Sequence, residues 1–192
     1  MIERRSVLKL GAAGVAGALV NVPIQAFGAM PADFHGSLYR AVFDQRFEEC
    51  LAFAGEMNRR GVIASGIRGD VAQLWYEDLR ARLSQRPAPV AGLTDRVALF
   101  CLEELARDVG MKVLFRVDHV ADKNGQAQHE ATGPASVVET TRTLAPGSGF
   151  GRATAVLACH FDVSGPRNIA AQKRMGPFSP GNKAALVSWI IA

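Results

Sequence analysis

Apolar and polar positions cycle regularly from Leu38 to His119. LYRAVF (38–43) is a short apolar run with Tyr and Val, which predicts a strand ending at Asp44. RFEECLAFAGEMNRR (46–60) then puts Phe47, Cys50, Leu51, Ala54 and Met57 on one helical stripe, with Gly61 just past the helix end. The cycle repeats. VIASGI (62–67) predicts a buried strand, and Asp70 stands where a helix cap belongs, with Gln73 completing a capping box. VAQLWYEDLRARL (71–83) spaces Val71, Trp75, Leu79 and Leu83 four residues apart, leaving Tyr76 off the stripe. PVAGL (89–93) predicts a third strand ending at Thr94 and Asp95, RVALFCLEELARDV (96–109) a third helix, and MKVLFRV (111–117) a fourth strand ending at Asp118 and His119.

Strands that alternate with helices predict an α/β fold in three layers: a largely parallel sheet with helices on its faces. After His119 the rhythm stops. Asn124-Gly125 is a hairpin turn signal, and APGSGFGR (145–152) is a glycine-rich loop. ATAVLACHF (153–161) and AALVSWIIA (184–192) predict two more strands, separated by a Gly- and Pro-rich stretch at 162–183. The expected organisation is one domain over residues 30–192. Its βαβαβαβ core spans 38–119, and a strand- and loop-rich C-terminal β-hairpin extension spans 120–192.

The first 29 residues do not join this pattern. Arg4, Arg5 and Lys9 precede an apolar run from Leu10 to Val20, and Ala26-Phe27-Gly28 offers small residues for cleavage. The run is too short for a transmembrane helix, which needs about 20 apolar residues. The stretch Arg4-Arg5-Ser6-Val7-Leu8-Lys9 resembles the twin-arginine (Tat) export signal, with Glu3 where Ser or Thr is common. That resemblance implies export to the periplasm by the Tat translocase, of cargo already folded. It also implies a periplasmic oxidoreductase as a partner, since such cargo often carries a redox cofactor or travels with a protein that does. It says nothing about residues 30–192. No stable membrane span is expected after cleavage, because the tail 184–192 reads as a strand.

Charge changes the picture little. The chain has 22 basic and 18 acidic side chains. Setting aside Arg4, Arg5, Lys9 and Glu3 leaves 19 and 17, a net +2. No basic stripe interleaved with aromatics exists, so nucleic acid is not an expected partner. Cys50, Cys101 and Cys159 form no CxxC or close Cys/His set, so no recognisable motif binds a cofactor, and all three read as buried small hydrophobes. An odd count in an oxidising compartment leaves at least one free or intermolecular thiol.

Ligands of open α/β sheets bind beyond the carboxyl ends of the strands. Those ends are expected to carry Asp44, Asp70, Asp95 and Asp118 with His119. Such a rim could hold a divalent metal through the four aspartates, or do acid–base chemistry through Asp118, His119 and Asp70. The bland alternative is helix capping, which suits Asp44, Asp70 and Asp95 but fits Asp118 least. GSGFG (147–151) lacks the Lys-Ser/Thr of a phosphate loop and a clear helix after it, and no GxGxxG or GxSxG is present. His160 and Asp162 would share a strand face, with Cys159 on the other. The two readings of function are an exported accessory protein of a periplasmic redox enzyme, and a small enzyme or ligand-binding domain built on the aspartate rim.

Overall fold

The structure, a computed structural model, describes residues 38–121, 127–141, 144, 149–163, 170–175 and 186–192. The candidate export signal with Arg4 and Arg5, and the turn at Asn124-Gly125, lie outside the described residues.

Strands β1 (Arg40–Asp44), β2 (Ala64–Ile67), β3 (Val90–Asp95) and β4 (Val113–Ala121) form as the apolar runs predict. Helix α1 (Glu48–Arg59) joins β1 to β2, and α4 (Arg96–Arg107) joins β3 to β4. Between β2 and β3 the chain makes α2 (Ala72–Leu74), a π-helical turn (Trp75–Leu79) and α3 (Arg80–Gln85). The π turn answers the sequence spacing. Residues four apart advance about 40° beyond a full turn of an α-helix, so a stripe at strict four-residue intervals would wind off the sheet. The wider π turn takes up that excess, and Val71, Trp75, Leu79 and Leu83 are all buried, while Tyr76 is exposed.

Beyond β4 come β5 (Ala127–Pro134), the short α5 (Ala135–Thr140), α6 (Phe150–Cys159), β6 (Ala170–Met175) and β7 (Leu186–Ile191). Among the described residues the sheet has seven strands in the order β2-β1-β3-β7-β4-β5-β6. β1 pairs in parallel with β2 and β3; β7 runs antiparallel to both its neighbours, as does β5. Strands β1 to β4 and β6 thus share one direction, giving the three-layer α/β fold with its C-terminal strands. The extension is no appendix, however. Fully buried β7 wedges between β3 and β4, so the last strand of the chain lies at the centre of the sheet.

One apolar cluster joins Ala41, Leu93, Val117 and Ile190 to Phe53 and Met57 of α1 and to Phe150, Ala155 and Ala158 of α6. The other joins Val42, Val90, Val187 and Trp189 to Trp75, Leu79 and Leu83, and to Leu99 and Leu102 of α4. Helices therefore cover both faces.

The stretch 153–161 corrects the sequence expectation: it is helix, not strand. Phe150, Gly151, Thr154, Ala155, Ala158 and Cys159 are its buried residues, a helical period hidden in a continuous apolar run. His160 and Asp162 accordingly do not share a strand face; His160 caps the end of α6, with Nδ1 2.7 Å from the Val156 carbonyl oxygen. A helix does follow the glycine-rich loop. Gly149 sits at its N-cap with φ +88°, a conformation that favours glycine. The Glu49 carboxylate of α1 accepts the Gly149 and Gly151 N–H groups, so the positive end of α6 is already met by an internal anion.

Candidate functional site: the carboxyl edge of the sheet

α1 leaves β1 over one face and α4 leaves β3 over the other. The chain thus parts between β1 and β3, the switch point at which open α/β sheets bind ligands. Asp44 ends β1 there and is fully buried. It caps no helix, since Phe47 is the N-cap of α1. Instead Oδ1 accepts the Arg46 backbone N–H at 3.1 Å, and the two oxygens grip the Arg46 guanidinium through Nε and Nη2 at 2.5–3.1 Å. The same Nη2 reaches across the switch point to Asp95 Oδ2. These hydrogen bonds, that from Asp44 first, raise the Arg46 pKa above its ordinary value and keep it charged.

Asp95 does two things. Its other oxygen caps α4 by accepting the Ala98 N–H at 2.7 Å. Asp70 accepts the Ala72 N–H at 2.8 Å, but Val71 is the N-cap of α2, so Asp70 is not the cap the sequence suggests, and Gln73 bonds Glu77 rather than closing a capping box. Asp118 lies within β4 rather than at its end, because the strand continues to Ala121 into the hairpin with β5. Its carboxylate takes Arg116 side-on, through Nε at 2.8 Å and Nη2 at 2.9 Å, and Arg96 Nη2 at 2.9 Å. The hydrogen bonds that Arg116 donates to Asp118 raise the Arg116 pKa.

The edge is therefore a chain of alternating charge: Asp44, Arg46, Asp95, then Arg96, Asp118, Arg116. Carboxylates lie beneath and guanidiniums above. The side chains of Asp44, Asp118 and Asp95 are 0, 13 and 25% exposed; those of Arg116, Arg46 and Arg96 are 39, 44 and 53%. Gly69, at φ +84°, presses its turn against Arg46; a Cβ there would lie 2.9 Å from Nη2.

His119 does not join this edge. As the residue after Asp118 in a strand it points to the opposite face. Its Nδ1 lies 2.7 Å from Nδ1 of His129, directly across the β4–β5 ladder, and its Nε2 lies 2.9 Å from Ser188 Oγ of β7. The Phe150 ring stacks on it at 4.3 Å between centroids. A serine, a histidine and an orienting group in a row have the connectivity of a nucleophilic relay. All three are buried in the core, and what they do there is tie β7, β4 and β5 into register. Burial, and then the neighbouring His129, push the His119 pKa well below its usual range.

Of the residues singled out in the sequence, the structure brings Asp44 and Asp95 together through Arg46. It sets Asp118 on the same edge, leaves Asp70 holding the Ala72 N–H and sends His119 inside. No group of three His, Cys, Asp or Glu side chains among the described residues is placed to hold a metal ion. Cys101 corrects the reading of three buried thiols. Cys50 and Cys159 are buried, which pushes their pKa values up to about 12 and about 11, but Cys101 is exposed on α4 beside exposed Val97 and Phe100. No helix among the described residues is long and apolar enough to cross a membrane.

The sequence reading missed the arginines, although the signal was there. Asp44-Gln45-Arg46 and Arg116-Val117-Asp118 each place opposite charges two residues apart at or in a strand. Comparison of the chain with protein-family models, curated proteins and solved structures finds no match.

Proposed function

We propose that the protein is exported to the periplasm by the Tat pathway and serves there as an accessory protein of a redox enzyme, contributing binding rather than bond-making. The observation that carries the second half is the engagement of the rim. Asp44, Asp95 and Asp118 hold arginines, Asp95 also caps α4, and Asp70 holds the Ala72 N–H. A carboxylate so engaged is a poor proton acceptor or metal ligand, because each new role must break a charged hydrogen bond. The exposed Val97 and Phe100 on α4 supply apolar surface of the kind a partner covers. The first half rests on the resemblance of residues 4–9 to the twin-arginine signal. A stand-alone ligand-binding domain is the second reading, favoured by the half-exposed guanidiniums at the switch point.

Fractionation of cells making the Arg4→Lys/Arg5→Lys chain tests the proposal. The variant should accumulate at full length in the cytoplasm, while the wild type reaches the periplasm and co-elutes with an oxidoreductase. Unchanged periplasmic recovery of the variant would overturn Tat export and the argument for a redox partner. Wild type that reaches the periplasm and elutes alone would favour the binding domain.

A further inference from the structure

We infer that the guanidinium row at the switch point, Arg46 and Arg96 flanked by Arg116, is a binding site for a doubly charged oxyanion, either a phosphate group or a dicarboxylate. This deepens the binding role proposed above and does not depend on export.

Three observations converge. The first is place: Arg46 bridges the ends of β1 and β3, where the helices that follow diverge to opposite faces. The second is layering. A surface ion pair leaves both charges in water, but here Asp44 is wholly buried and Asp118 nearly so, while their arginines remain substantially exposed. The buried carboxylates offset part of the positive charge and, more usefully for a ligand, fix the guanidinium planes. Asp44 and Asp118 each grip their arginine through Nε and Nη2, and the Nη1 groups of Arg46 and Arg116 make no hydrogen bond among the described residues. Those N–H groups are held ready without the loss of rotamer freedom that a mobile arginine would suffer on binding. The third is the setting: Arg96 opens the twelve-residue α4, whose first turn, capped by the Asp95 carboxylate, carries Arg96 to Asp118 at the strand ends. The Gly69 turn lies against the Arg46 guanidinium.

The guanidinium N–H groups left over match the oxygens of phosphate and carboxylate alike, and a second negative charge on the ligand offsets the repulsion of the aspartates already present. The two sources are separated by probe. Calorimetric titration of the full chain with inorganic phosphate and, separately, with succinate, at constant ionic strength set by chloride, should give saturable binding of at least one. Arg96→Gln should weaken it at least fivefold. Because Arg46→Gln would strand buried Asp44, Arg46→Lys is the second variant: it keeps the charge but loses the fork, and should also weaken binding at least threefold. Saturation by phosphate alone assigns a phosphate-bearing ligand, and by succinate alone a dicarboxylate. Absence of saturable binding of both, or binding that Arg96→Gln and Arg46→Lys leave unchanged in folded protein, would overturn the inference.

Discussion

A histidine paired with a second histidine in a closed core makes stability depend on pH. Desolvation and the neighbouring His129 hold His119 below its ordinary ionisation range in the folded chain. The unfolded chain takes up that proton near the ordinary value of about 6.5. Below that pH the unfolded state binds more protons than the native state, so stability falls as pH falls, by at most about 1.4 kcal/mol per pH unit for one group. Denaturant titrations between pH 7.5 and pH 5 should show this loss in the wild type and a smaller one in His119→Asn. Equal slopes in the two proteins would remove His119 as the source. The pair was half legible. Asn124-Gly125 predicts a hairpin between them, and the antiparallel pairing of β4 with β5 sets His119 opposite His129. Ser188 comes from a strand whose place in the sheet no local pattern announces.

At the scale of the element, period explains both what the sequence revealed and what it hid. The stripe of α1 was legible at Cys50, Ala54 and Met57, whose helical spacing ahead of a glycine signal is borne out by burial, but Leu51, expected on it, is exposed and Phe53 is buried instead. On α4 the buried Ala98, Leu99, Leu102 and Ala106 recur at helical intervals. Asp95 indeed caps α4, and Gly61 and Gly110 take the positive φ expected past a helix end. The stretch 153–161 was not legible, because Ala153, Val156 and Leu157 make its less buried side apolar as well, and a continuous apolar run has no period to read. The four-residue spacing of Trp75, Leu79 and Leu83 predicted the buried face correctly without disclosing the π turn that maintains it. Leu79 and Leu102 are 1 and 2% exposed on the same face of the sheet. Truncating either to alanine empties a closed site and should cost about 2–5 kcal/mol of unfolding free energy in denaturant. Losses below about 0.5 kcal/mol at both positions would mean that these stripes do not face the sheet.

For the whole molecule, topology decides which charges meet. A sequence reading places Asp44, Asp95 and Asp118 at strand ends. It cannot place β7 between β3 and β4, since sheet order is set by long-range pairing rather than local pattern. That insertion spaces Asp118 away from Asp95 and leaves the gap to be spanned by Arg96, so the aspartates meet arginines rather than one another. Asp118 is the residue on which the account turns, because no helix follows it to explain its carboxylate as a cap. Calorimetry of wild type and Asp118→Asn with manganese(II), alongside their thermal unfolding, tests this directly. The account predicts that the asparagine variant folds but is destabilised by about 1–3 kcal/mol through loss of its ion pair with Arg96 and of the charged hydrogen bonds it accepts from Arg116, with manganese titrations the same as wild type. A wild type that binds manganese saturably, and a folded Asp118→Asn that no longer does, would contradict it.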